Sequence, residues 1–181
     1  MDDELVSIAH HEGGHVVAAV AFGRDVGFVL LDDDGGGAAL VALTGYSPER
    51  LVTIVRRRHR IAPPERRRLE AGAIIALAGA AAEAKLAGCT TAKVAGVDLQ
   101  HAQLYAVLLK PADQRAFLER CAAHAAVVVG DRWTQVRAIA HALLEKGSLS
   151  PDDVQAAIAA ATPRLSYELS TRAREDEDAR R

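Results

Sequence analysis

Two histidines and a glutamate carry the chemistry that can be read first. His11, Glu12 and His15 form the pattern His-Glu-x-x-His within His11-Glu12-Gly13-Gly14-His15. Residues four apart on a helix share a face, so both imidazoles can reach one metal ion. Imidazole nitrogen is a standard zinc ligand. Glu12 stands beside the pair, off the metal. Zinc makes a water acidic, and a neighbouring carboxylate can take its proton. The hydroxide so formed attacks a peptide carbonyl, and the protonated carboxyl returns its proton to the leaving amine.

A histidine on an apolar helix is commonly a plain core or surface residue. Here the motif lies inside an apolar helix, where a His-Glu-His cluster without a ligand is costly to bury. A catalytic zinc needs a third protein ligand. His59, Glu83, Asp98, His101, His124 and His141 all qualify by chemistry, and spacing does not choose among them. His10 precedes the motif, but adjacent helical side chains diverge, so it should not share the metal with His11.

The elements that must position these groups follow from periodicity. Leu5, Ile8, Ala9, Val16 and Val20 predict a helix over Leu5–Phe22, ended by Gly23. Gly13 and Gly14 weaken it by roughly 1 kcal/mol each relative to alanine, and close packing around a site would explain them. Val26–Leu31 and Ala38–Thr44 flank Asp32-Asp33-Asp34-Gly35-Gly36-Gly37, a hairpin signal. Glu65–Ala87 reads as a long helix after Pro63-Pro64, stopped by Gly88, and Cys89–Val97 as a loop of small residues. Further helices are expected at Asp98–Leu109, from Pro111 to about Gly130, at Asp131–Glu145 and at Pro151–Ala161. Ser150-Pro151-Asp152-Asp153 is a strong start for the last of these.

Composition bounds the class. The chain has 181 residues, half of them hydrophobic and few aromatic, which favours closely packed helices. A net charge of -2 gives no general attraction to nucleic acid or an anionic membrane. Arg56-Arg57-Arg58-His59-Arg60 and Arg66-Arg67-Arg68 make a local basic cluster. No aromatics interleave for base stacking, so a solvated face is the favoured reading. Cys89 and Cys121 lack Cys-x-x-Cys spacing and are expected to be buried thiols in a reducing compartment. No apolar run reaches spanning length, and the acidic start lacks a signal peptide's basic region. A cytoplasmic protein is expected, with one domain over residues 1–162 and a charged tail over 163–181, frayed or disordered.

Three stretches resemble the protease domain of the FtsH family. Ile8–Ala18, with its His-Glu-Gly-Gly-His core, is similar to the family's Tyr-His-Glu-Ala-Gly-His segment. Ile74–Thr91 (IIALAGAAAEAKLAGCTT) resembles its glycine- and alanine-rich helix, with an Ala-Glu pair and a Gly-x-x-Thr-like end. Val97-Asp98-Leu99-Gln100-His101-Ala102 resembles the segment whose aspartate completes the zinc site. More weakly, Trp133–Val154 looks like the closing helices. The resemblance implies zinc on His11, His15 and Asp98, with Glu12 as general base and Glu83 near the metal. It implies a mainly helical zincin fold with a small β-hairpin or sheet in the N-terminal third.

The sequence departs from the family at Gly13, where alanine is usual, which is expected to loosen the ligand helix. It also lacks a Gly-x-x-x-x-Gly-Lys-Ser/Thr loop, so it should not hydrolyse ATP by that route. The expected activity is endopeptidase cleavage of peptides or unfolded proteins, independent of ATP or served by a separate ATPase. The rival reading is a binding or regulatory module on the same fold, weak or inactive in catalysis. Ala38–Thr44 could also serve as an edge strand for an extended substrate.

Overall fold

The computed structural model describes residues 3–31, 37–41, 61–89 and 96–162. The elements are α1 (Asp3–Ala21), β1 (Val26–Leu31), β2 (Gly37–Val41), α2 (Pro63–Leu86), α3 (Gly96–Leu109), α4 (Gln114–Asp131), α5 (Trp133–Lys146), β3 (Ser148–Leu149) and α6 (Pro151–Ala161). The protein is mainly helical with a small antiparallel sheet. α1 packs against both α2 and α5, while α2 also carries α3 and α4 on its other sides. Leu69, Val16, Val17, Val129, Val136, Ile139 and Leu143 are fully buried between these helices.

α2 is the central element, and its composition explains why. From Ala71 to Ala82 every residue is buried, and most are alanine or glycine. Small side chains let neighbouring helices approach on every side, which a leucine-rich helix would prevent. Pro63 and Pro64 fall at its first positions, where a missing backbone N–H leaves no bond unmade.

The sheet has the order β2-β1-β3, with both pairings antiparallel. The expected hairpin is present as β1 and β2, and Ala42–Thr44 lie outside the described residues. The third strand was not expected. Two residues are too short for periodicity to register, yet Leu149 pairs with Val29 and both are fully buried. Gly147 makes this possible. At φ 72° it closes α5 in the left-handed region, and its carbonyl accepts from Leu31 N at 2.9 Å.

Several other expectations need correction. Pro111 does not open α4. Asp113 does, accepting a hydrogen bond from Ala116 N at 3.0 Å, while Lys110 at φ 44° turns the chain just before. α4 also continues through Gly130 to Asp131 and ends where Arg132 leaves helical geometry, with φ -114°. α3 begins at Gly96, so Asp98 lies in its first turn rather than at its start. Cys121 is buried, but Cys89 is exposed, because it follows the end of α2 instead of packing beneath it. The Asp32–Asp34 turn, Arg56–Arg60 and the 163–181 tail lie outside the described residues.

Candidate metal centre

The two glycines of the motif are explained by how closely three helices approach. A Cβ on Gly14 would lie 2.5 Å from the Ala78 carbonyl oxygen and 2.9 Å from the Ala82 Cβ, so α1 rests on the backbone of α2. A Cβ on Gly13 would lie 2.9 Å from the Val136 carbonyl oxygen of α5. Glycine at position 13 therefore serves a tight contact, the close packing that the paired glycines of the motif suggested.

This approach carries His11 and His15 onto the face of α2, and the first turn of α3 brings Asp98 to the same point. His11 Nε2 lies 2.9 Å from Asp98 Oδ2, His15 Nε2 lies 3.3 Å from that oxygen, and the two Nε2 atoms are 3.0 Å apart. Among the described residues, these three form the one group of His, Cys, Asp and Glu side chains spaced to hold a metal ion.

The outward ring nitrogens fix which atoms face inward. His15 Nδ1 lies 2.8 Å from the Ile75 carbonyl oxygen, which can only accept, so that nitrogen carries a proton. His11 Nδ1 donates to Glu83 Oε1 at 3.0 Å. In neutral rings both Nε2 atoms then present lone pairs, as ligand histidines do when a carboxylate or carbonyl orients them. Two such lone pairs and a carboxylate oxygen, all about 3 Å apart, repel unless a proton or a metal cation sits among them. Ligand atoms around a tetrahedral zinc stand roughly 3.3–3.6 Å apart, given bonds of about 2.0–2.2 Å. The donor set is one that zinc takes, and its separations of 2.9, 3.0 and 3.3 Å would have to open by a few tenths of an ångström around the ion.

Without a metal, the same groups act on one another's charge. Burial pulls the His11 imidazolium down, but the hydrogen bond and charge of Asp98, with the charges of Glu12 and Glu83, outweigh it and leave His11 above its ordinary value. Burial pushes the Asp98 carboxyl up, while hydrogen bonds from His11 and His15 and their charges hold it well below the usual carboxylate range. Glu12 is 5% exposed, with Oε2 buried, so an acid-base group stands beside the cluster, largely shielded from bulk water.

The remaining candidates lie elsewhere. His101 is exposed on α3, outside the cluster. His124 meets Phe22 edge-on, and His141 pairs with Glu145 at 3.6 Å on the surface of α5. His59 is outside the described residues. His10 donates from Nδ1 to the Val6 carbonyl at 2.8 Å and packs against Trp133, apart from the other two rings. Sequence reasoning missed Ile75 and Gly79. A signal for them existed: Ile75, Gly79 and Glu83 recur every four residues, so they share one face of α2.

Comparison with known proteins finds no family model that matches this chain and no match among curated proteins. Among the described residues, no helix is long and apolar enough to cross a membrane. Arg66, Arg67 and Arg68 are exposed at the start of α2, and Arg66 Nη1 lies 3.5 Å from the Leu109 carbonyl oxygen.

Proposed function

We propose that this chain is a zinc metalloendopeptidase of the His-Glu-x-x-His type, related in its working parts to the FtsH protease domain. The convergence of His11 Nε2, His15 Nε2 and Asp98 Oδ2, with both Nδ1 protons engaged on α2, carries this reading. When bound there, zinc supplies Lewis acidity, which polarises a carbonyl and makes a water easier to deprotonate.

The chain's own residues do the rest. Ile75 and Glu83 hold the Nδ1 protons, so the rings cannot turn their lone pairs away. Glu12 follows His11 directly on α1, and its charge already acts on that imidazole. Its carboxylate takes a proton from the attacking water and gives it to the amide nitrogen as the C–N bond breaks. One water is consumed, and a carboxylic acid and an amine are formed. The proposed substrates are peptides or unfolded segments, whose extended backbone can reach the metal centre without prior unfolding. A folded substrate would need a separate ATPase.

The test combines metal analysis with digestion of an unfolded protein. Wild type should hold about one zinc per chain and cleave in a chelator-sensitive way. Asp98→Ala should lose most of the metal. Glu12→Gln should keep it and cleave at least roughly 100-fold more slowly. Zinc without hydrolysis would turn the assignment to a metal-holding binding module. Undiminished cleavage by Glu12→Gln would sink the proposed chemistry.

A further inference from the structure

We infer that Gly79 is a positioning residue of the metal centre: the side chain it lacks is the space in which the two imidazoles converge beside Asp98. The inference rests on the metal-centre reading above. A Cβ at position 79 would lie 2.5 Å from His11 Nε2, 2.6 Å from His11 Cδ2 and 2.6 Å from His15 Nε2. Real carbon atoms do not approach so closely, so at least one ring would have to move.

Its place on α2 makes the role specific. Gly79 lies one turn from Ile75, which holds His15, and one turn from Glu83, which holds His11. The three positions form a row: a carbonyl that fixes one ring, a carboxylate that fixes the other, and a gap between them. With the outward nitrogens tied at both ends, neither ring can tilt to admit a methyl group without leaving its Nδ1 partner or its place beside Asp98.

Gly14 supplies the contrast. Its missing Cβ would meet the Ala78 carbonyl oxygen, which belongs to the neighbouring helix backbone. Alanine there must push α1 and α2 apart. Alanine at position 79 meets the ends of two side chains, which can give way by losing a ring contact without parting the helices. Gly79→Ala should therefore separate metal binding from folding, and Gly14→Ala should not.

The experiment compares the full chain with Gly79→Ala, Gly14→Ala and Gly130→Ala. Gly130 is a helical control at which an added Cβ would meet no neighbouring group within 4 Å. Zinc affinity is measured by competition with a chromophoric chelator, thermal unfolding in excess EDTA, and imidazole nitrogen-15 spectra on metal-stripped protein. Gly79→Ala should bind zinc at least roughly tenfold more weakly, the range seen when ligand-orienting groups are lost. In EDTA it should melt within a few degrees of wild type, with the His11 and His15 ring signals displaced from the Nδ1–H pattern. Gly130→Ala should match wild type throughout.

Wild-type affinity in Gly79→Ala would overturn the inference. So would a loss of affinity that merely tracks a fall in melting temperature as large as that of Gly14→Ala. If wild type itself binds no zinc, the metal reading fails and the inference is overturned with it, whereas zinc in wild type and an unchanged Nδ1–H pattern in Gly79→Ala would overturn the inference alone.

Discussion

The Nδ1 atoms of His11 and His15 are already committed to Glu83 and Ile75, so the metal-free centre can relieve its crowded lone pairs only by binding protons. That gives it a defined pH response. His11 is raised, so its contribution to stability is fully present below its unfolded value of about 6.5 and fades as pH rises through its folded value. Asp98 is lowered, so its contribution is present above about pH 4 and is lost as pH falls through its folded value. The His11–Asp98 pair therefore stabilises metal-free protein most between roughly pH 4 and 6.5. Both side chains are only about a fifth exposed, at 22% and 21%, so solvent and salt screen the pair only in part. Melting curves in EDTA across pH 4–9 should show this maximum in wild type and a flattened profile in Asp98→Asn. Identical profiles would mean that the pair contributes nothing to the fold. The motif histidines and Glu12 were legible at this scale because their spacing is itself the signal. Asp98 was one of six chemically equal candidates until the resemblance singled it out. Ile75 and Gly79 were harder to read for a physical reason: one acts through its backbone carbonyl and the other through an absent side chain, so their four-residue spacing from Glu83 was the one trace they left.

Elements with long periodicity or strong caps were the most legible. β1 and α6 have the bounds that the sequence suggests, while α1 and α2 differ from theirs by about two residues at an end. Failures came where a local contact outweighed a residue's usual habit. Pro111 normally favours a helix start, yet Asp113 had a side-chain oxygen for the orphan N–H groups and Pro111 did not. β3 exists because Leu149 finds buried space beside Val29, which no local pattern could reveal. Its position depends on the next element. Ser150 accepts from Asp153 N at 3.2 Å, and Asp153 accepts in return from Ser150 N at 3.0 Å, a closed capping box at the head of α6. Lys146 reaches across from the end of α5 to the same carboxylate. Ser150→Ala should therefore cost about 1 kcal/mol of global stability. Amide exchange should quicken in β3 and the first turn of α6, while zinc affinity stays at the wild-type value because α1, α2 and α3 are untouched. Loss of zinc in this variant would show that the sheet and the metal centre are more tightly coupled than their separate supports imply.

At the scale of the whole molecule, the ligands come from two distant stretches of chain, α1 and α3, that meet only when both are docked on α2. An ion binding all three ligands selects the folded state, and stabilises it according to free ion concentration over Kd. Two cysteines offer a direct measure of this coupling. Cys89 is exposed, whereas Cys121 is 1% exposed on α4, and burial, with the charge of Glu70, pushes its thiol up to about 11. At pH 7 a thiol reagent should label Cys89 at once. Cys121 has neither access nor thiolate in the folded protein, so it should react only through opening of the helical core. In the single variant Cys89→Ser, labelling of Cys121 therefore counts openings of the core. Free zinc buffered at 100 times its Kd should slow that labelling by roughly 100-fold if the opening is global, because only metal-free protein can unfold. Asp98→Ala should remove the effect, while Glu12→Gln should keep it, since Glu12 holds no ligand position. Zinc-independent labelling in wild type would mean that α4 opens while the metal centre stays intact. The centre would then stabilise the α1–α2–α3 contacts alone rather than the molecule as one cooperative unit.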